Sequence, residues 1–162
     1  MMIPREEAIE RICDFLTQIR IPFQKAPIEG RSFLPGLKID QGSLTIDVNK
    51  LEYPGDILHE AGHIALFDPQ RRPFLNQEML DTQPSEQSEE IGVQLWSYFA
   101  AEACGIPAEM VFHDGGYHMQ NKWIIDNFRK RIFVGMPLLV WMRIADPVPK
   151  GEYPVIKNWL RQ

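Results

Sequence analysis

The sequence predicts an α+β fold that is mainly helical and carries a small antiparallel hairpin beside a central helix. The chain has 162 residues, of which 44% are hydrophobic, and this is enough for one well-formed core. Apolar and polar residues alternate over 37–48 around Gln41-Gly42, which is the pattern of a β-hairpin. Most other apolar residues recur at helical spacing. We therefore expect a single domain spanning residues 1–162.

A first helix is predicted after Pro4 and extends to about Ile19. Proline near the first helical position and acidic residues in the first turn, here Glu6 and Glu7, favour a helix start. The hairpin follows, with strands at 37–40 and 43–48 joined by the glycine turn.

A second helix is predicted over 57–66, because Pro54-Gly55-Asp56 supplies a proline and an acidic cap before an apolar stretch. The hairpin runs almost directly into this helix. One of its strands should therefore lie beside the helix, where an exposed edge would accept an extended peptide.

Four or five further helical segments are predicted downstream. The stretch from Phe67 to Ser85 is rich in proline, glutamine and charge, and we expect a cleft wall with one helical turn at 75–80. A longer helix at 85–103 should end at Gly105. The remaining helices are predicted at 117–131, 137–144 and 154–160, two of them with proline in the first turn.

Charge and composition exclude several classes of protein. The net charge of −5 and a pI near 5.4 argue against a nucleic-acid partner. Arg71-Arg72 and the basic residues at 129–131 are interpreted as solvated surface. The longest apolar stretch, 132–145, is interrupted by Gly135 and Pro137 and is too short to cross a membrane.

The location expected for the chain is cytoplasmic. Its N-terminus is charged within a few residues and lacks the apolar region of a secretory signal. Cys13 and Cys104 each lie among apolar residues and are interpreted as buried, reduced thiols. No pattern in the sequence indicates an oligomeric state.

The second helix contains the sequence His59-Glu60-Ala61-Gly62-His63. Residues four apart lie on the same face of a helix, so both imidazoles can reach one metal ion with Glu60 beside it. Two histidines and a glutamate on an apolar helix would otherwise leave three polar groups in need of partners. The motif therefore predicts a site for one Zn²⁺ ion, with His59 and His63 as two ligands.

The third ligand is expected from the helix that follows, because a glutamate often completes such sites. Glu86, Glu89 and Glu90 are the candidates. Glu90 shares a face with small and amide residues that would let two helices approach closely, whereas Glu89 points toward the apolar side and would also need a partner there. Helical geometry alone leaves both open.

The segment from Leu37 to about Ile106 resembles the metallopeptidase-like domain of the ImmA/IrrE family, part of the zincin group. The shared order is a hairpin, an H-E-x-G-H helix and a second helix carrying the ligand glutamate. In that second helix the glutamate precedes a small residue, an amide, an aromatic and a small residue, matched by Glu90, Val93, Gln94, Trp96 and Ser97. The resemblance thus favours Glu90 over Glu89 as third ligand, and it implies a zincin-like fold.

The resemblance also implies zinc-dependent peptide hydrolysis with Glu60 as general base and a peptide or protein as substrate. A second donor would be needed for the developing oxyanion, and His113, Tyr117 and His118 are candidates clustered around a glycine turn. Tyr98 is a weaker candidate that core packing explains better. The competing interpretations are a metal-binding scaffold that recognises partners without efficient cleavage, and a purely structural zinc site, which would not need Glu60.

Overall fold

Helices surround a three-stranded sheet in the computed structural model, which describes residues 2–82, 87–116 and 120–162. The fold class is therefore α+β, as predicted. The elements are α1 (Arg5–Ile19), β1 (Phe23–Lys25), β2 (Leu37–Asp40), β3 (Ser43–Ile46), α2 (Asp56–Leu66), α3 (Gln77–Thr82), α4 (Gln87–Cys104), α5 (Asn121–Arg129) and α6 (Met136–Trp141). Within the described ranges, no helix is long and apolar enough to span a membrane.

The hairpin of β2 and β3 forms as predicted, with antiparallel pairing of Leu37 with Ile46 and of Ile39 with Leu44. Gln41 and Gly42 both have positive φ angles, of 48° and 69°, as a two-residue hairpin turn requires. The sheet as a whole is mixed, because a third strand is added to the predicted antiparallel hairpin. The unpredicted strand β1 pairs in parallel with β3, giving the order β1-β3-β2.

The motif helix α2 is buried, because its apolar residues fill the space between the sheet and the neighbouring helices. Asp56 lies in the first turn, but it is Gly55 that precedes the helix, and no side chain caps it. The prediction of Asp56 as a cap was therefore wrong. Its carboxylate is bonded to His113 instead.

Helix α4 packs across α2 at Gly62, the glycine of the motif. A Cβ atom at this position would lie 3.0 Å from Val93 Cγ1 and 3.2 Å from Trp96 Cε3. The absence of a side chain at this position therefore allows Val93 and Trp96 to pack closely on α2. Helix α4 ends before Gly105, whose φ of 69° provides the left-handed residue predicted there.

The prediction of a helix at 154–160 is wrong, since this segment is irregular and contains no helix. Ile156 forms a β-bridge with Ala145, and the Arg161 N–H donates to Ala65 O in the last turn of α2 at 2.9 Å. The carbonyl of Trp159 accepts the indole N–H of Trp96 at 2.9 Å. These tertiary hydrogen bonds replace the ones that a local helix would have made.

The other predicted segments differ from the structure mainly in their bounds. Helix α5 covers the described part of 117–131, and α6 begins one residue before and ends three residues before the predicted 137–144. The predicted turn at 75–80 is α3, displaced by two residues.

Arg72 is not the solvated surface residue expected from the sequence. Its guanidinium donates to Ile64 O at 3.0 Å, and to Ala65 O and Phe67 O at 3.2 Å each, and it also reaches Arg161 O at 2.8 Å. The last carbonyls of a helix lack the i+4 N–H donors of its interior, and here, among the described residues, Ile64 O otherwise accepts only the long bond from the Phe67 N–H, at 3.4 Å. Arg72 therefore caps the motif helix and ties the C-terminal segment to it.

Replacing Arg72 should destabilise the fold. We expect Arg72→Ala to lower the free energy of unfolding by about 2–3 kcal/mol, since charge-assisted hydrogen bonds to partly buried carbonyls are lost. The neighbouring Arg71 is exposed, so Arg71→Ala is the matched control and should change stability by about 0.5 kcal/mol or less. Urea unfolding of both variants measures the difference. Equal losses would show that Arg72 is a surface residue in solution.

Candidate metal centre

His59 and His63 present their Nε2 atoms to each other across one turn of α2. The two atoms are 3.3 Å apart, and the rings meet edge to face with their centroids 4.9 Å apart. The i, i+4 spacing places both rings on one face of the helix, as expected. Two imidazole nitrogens thus converge on one point.

Glu90 completes a triangle of donor atoms from the facing helix α4. Its Oε1 lies 3.3 Å from His59 Nε2, and its Oε2 lies 3.6 Å from His63 Nε2. Together with the two histidines it forms a group whose potential ligand atoms all lie within 4.8 Å of one another. Glu89, the alternative third ligand, is not in this group. Glu86 lies outside the described residues.

The close crossing at Gly62 explains how Glu90 reaches the histidines. Val93 lies one turn after Glu90 on α4 and packs against Gly62. This contact places the Glu90 carboxylate beside the two imidazoles. The small residue at the crossing is thus part of what assembles the donor triangle.

Both histidines are in the protonation state that metal coordination requires. Burial lowers the pKa of His59 to about 3, and the charges of His63 and His113 act in the same direction. Burial likewise lowers the pKa of His63 to about 4. Both rings are therefore neutral at pH 7. Burial and the nearby charge of Glu89 raise the pKa of Glu90.

The spacing of the donor atoms fits a tetrahedral ion. Atoms bound at about 2.0–2.1 Å around one centre with tetrahedral angles lie roughly 3.3–3.4 Å apart. The two Nε2 atoms are 3.3 Å apart, which matches this spacing, while one oxygen of Glu90 lies 3.3 Å from His59 Nε2 and the other lies 3.6 Å from His63 Nε2.

Glu60 lies beside the triangle and is almost fully buried. Burial raises the pKa of its carboxyl to about 8, with further contributions from Asp56, Asp81 and Glu90, while a hydrogen bond with Gln77 lowers it. Its Oε2 has no hydrogen-bond partner among the described residues. One oxygen of this carboxyl is therefore buried without a hydrogen bond from the described residues.

The site lies in a cleft of about 540 Å³. Phe33, Leu34 and Leu80 form an apolar part of its lining. The acidic side chains of the lining are Asp56, Glu60, Asp81 and Glu90, and no lysine or arginine lines the cleft among the residues that the structure describes. Its chemistry favours neutral or cationic ligands over polyanions.

His113 lies behind the first turn of α2 and is not among the residues lining the cleft. Its Nε2 is 2.6 Å from Asp56 Oδ1, and its ring stacks on Tyr53 with the centroids 3.7 Å apart. Tyr117 and His118 lie outside the described residues. Tyr98 is buried against Phe128, as core packing predicts.

Asp56 was not predicted as a residue of the cleft, whereas Gln77 and Asp81 lie in the stretch 67–85 that was predicted to form a cleft wall, although neither was singled out. Asp56 stands four residues before Glu60, and this i, i+4 spacing on a buried helix was a signal for a second acid. Gln77 and Asp81 lie in a polar stretch with no periodic pattern, so their place in the cleft depends on tertiary structure.

Known proteins offer no match to this chain: no family model, no curated protein and no solved structure corresponds to it. The geometry and chemistry of the cleft therefore carry the functional inference.

The two adjacent glutamates should differ sharply in their effect on metal binding. With Zn²⁺ as the probe, Glu90→Ala should weaken binding by more than the roughly 10–100-fold that is typical of losing an outer hydrogen-bond partner. Glu89→Ala should weaken it less than about tenfold, because it removes only a nearby charge. Competition titration against a chromophoric chelator measures both affinities, and circular dichroism checks the fold. A larger loss for Glu89→Ala would exclude Glu90 as the ligand.

Proposed function

We propose that this chain is a zinc-dependent hydrolase of the peptidase type. One Zn²⁺ ion would be held by His59, His63 and Glu90, and Glu60 would act as general base. The observation that carries the proposal is the convergence of three donor atoms beside a buried carboxyl in an open cleft. The resemblance of 37–106 to the ImmA/IrrE metallopeptidase-like domain supports the same reading and a zincin-like fold.

Zinc suits this donor set better than the hard cations do. Two imidazole nitrogens and one carboxylate are typical of catalytic zinc, whereas Mg²⁺ and Ca²⁺ prefer oxygen ligands throughout. A structural zinc site usually has four protein ligands. In the described ranges, the cluster contains three. The fourth position is thus left for water or substrate.

When bound, the ion would supply an acidified water and would polarise a substrate carbonyl. Glu60 supplies the proton transfer. Its Oε2, which lacks a partner among the described residues, would accept the proton of the attacking water and then deliver it to the leaving amine. The neighbouring cation would favour the charged form of Glu60, which burial alone disfavours.

An extended peptide is the substrate that the cleft accommodates best. β2 is an edge strand of the sheet, and the Ile39 N–H points away from β3 to Gln77, which lines the cleft. Addition of a peptide along this edge would place its backbone beside Glu60. The acidic lining argues against nucleic acid as a ligand. The cytoplasmic location expected from the sequence is part of this proposal.

A metal-binding interaction module is the second candidate function. The Gln77 side chain accepts a hydrogen bond from the Ile39 N–H and forms one with the Glu60 carboxyl. It would therefore compete with a substrate for these two groups. A protein that recognises its partner without cleaving it could keep such an arrangement permanently.

Glu60→Gln should separate metal binding from hydrolysis. We expect the variant to keep stoichiometric zinc and to lose about 10²–10⁴-fold in activity, because an amide cannot accept the proton of water. Activity is measured on a pool of internally quenched fluorescent peptides, and zinc by elemental analysis. Glu52→Gln, an exposed change in the preceding loop, is the matched control and should keep wild-type activity.

If Glu60→Gln hydrolyses the peptides at the wild-type rate, Glu60 is not the general base. If the zinc-loaded wild type, Glu60→Gln and Gln77→Ala are all inactive on the pool, the hydrolase proposal is wrong and the interaction module stands in its place.

A further inference from the structure

Gln77, the first residue of α3, connects three parts of the cleft. Its Oε1 accepts the backbone N–H of Ile39 on β2 at 3.1 Å, and its Nε2 donates to Asp81 Oδ1 at 3.0 Å. Gln77 also lines the cleft beside Glu60, and a side-chain hydrogen bond from Gln77 lowers the pKa of the Glu60 carboxyl. The Gln77 side chain therefore lies between the edge strand and the proposed general base.

The outward-facing N–H groups of β2 are satisfied in two different ways. The N–H of Leu37 donates to the backbone carbonyl of Leu34 at 3.1 Å. The N–H of Ile39 donates instead to a side chain, that of Gln77. A backbone partner moves only with its segment, whereas a side-chain partner leaves by rotation about its own torsions. Ile39 is thus the point on this edge where a hydrogen bond can be exchanged locally.

The backbone before Gln77 is held in place. Leu75 is fully buried, and its carbonyl accepts the N–H of Gly42 at 2.8 Å. The Asn76 side chain accepts the N–H of Met79 at 2.9 Å, which fixes the first turn of α3. Movement of the Gln77 side chain therefore does not require the N-terminal end of α3 to move.

The carboxamide of Gln77 has the same functional groups as a peptide bond, namely one carbonyl acceptor and N–H donors. In the structure its carbonyl binds the edge strand, and its other contacts are the carboxyls of Asp81 and Glu60. A substrate peptide group added to β2 beside Glu60 would make the same hydrogen bond to Ile39.

We propose that Gln77 is a built-in substrate mimic that occupies the position of a substrate peptide group on β2 until an extended peptide displaces it. This inference rests on the proposed function, because it assumes that peptides bind along β2. Displacement exchanges one hydrogen bond to Ile39 for another, so a peptide that fits the cleft loses little by it. A peptide too short to make further contacts would not compensate for the lost Gln77 contacts and would be excluded.

The chemistry of the lining defines the peptides to test. Phe33, Leu34 and Leu80 offer apolar contacts, and Phe33 is 82% exposed. Asp81 adds an exposed negative charge at the same opening. A pool of end-blocked hexapeptides with a central apolar residue and no acidic residue is therefore the probe.

Gln77→Ala tests the proposal in zinc-loaded protein that also carries Glu60→Gln, so that binding is measured without cleavage. Removing one competing hydrogen bond should tighten binding of the pool by about three- to tenfold. Glu78→Ala, an exposed change at the next position of α3, is the matched control and should leave binding unchanged. Fluorescence anisotropy of the labelled pool gives the affinities. Unchanged or weaker binding in a folded Gln77→Ala protein would overturn the proposal, because Gln77 would then only connect α3 to the sheet.

A second measurement keeps the proposal testable if Gln77→Ala does not fold. In ¹⁵N-labelled protein carrying only Glu60→Gln, adding the pool should shift the side-chain amide signals of Gln77 while the Ile39 N–H stays protected from hydrogen exchange. If the peptides bind and the side-chain amide signals of Gln77 do not shift, Gln77 is not displaced and the proposal is wrong. If the wild-type protein cleaves the hexapeptides and Gln77→Ala cleaves them no faster, Gln77 is not a substrate mimic. The proposed hydrolase function would not be affected by that result. If no variant binds or cleaves the hexapeptides, both proposals fail.

Discussion

The close crossing of α2 and α4 at Gly62 is the constraint on which the candidate site depends. The two histidines can be aligned by one helix, but the third donor has to come from another element at the right height and distance. Val93 and Trp96 pack directly over Gly62, and this contact fixes where Glu90 meets the imidazoles. A Cβ atom at position 62 would press on Val93 and Trp96, so these side chains would have to shift by a few tenths of an ångström at the crossing.

The same crossing buries groups that are costly to bury. His59 and His63 lose their tendency to bind protons, and Glu60 loses its tendency to release one. Such opposed pKa shifts within one cleft are typical of functional sites, because an ordinary core avoids polar groups that it cannot pair. A divalent cation would offset much of this cost, so metal binding and fold stability should be coupled.

The sequence was informative where the determining interactions are local. The histidines of α2 are four residues apart, and the hairpin turn at Gln41-Gly42 is set by its own backbone angles, so both were predictable. Strand β1 was missed because three residues are too few to show alternation, and it forms by pairing with β3. The C-terminal segment was wrongly predicted as helical, because hydrogen bonds to distant residues, such as that between Trp159 and Trp96, decide its conformation.

The position of Gln77 shows the same limit within the site. Its role depends on an edge strand 38 residues away in sequence, so no local pattern could indicate it. The choice between Glu89 and Glu90 was also open from helical spacing alone. The packing of α4 on α2 brings Glu90 to the histidines and leaves Glu89 outside the cluster.

The most direct test of the central claim is the location of zinc in crystals of the zinc-loaded protein, measured by anomalous diffraction at the zinc absorption edge. The account predicts one strong peak per chain, about 2.0–2.2 Å from His59 Nε2, His63 Nε2 and a Glu90 oxygen, with a non-protein ligand in the fourth position. A peak elsewhere, or no peak between the two histidines at neutral pH, would contradict it.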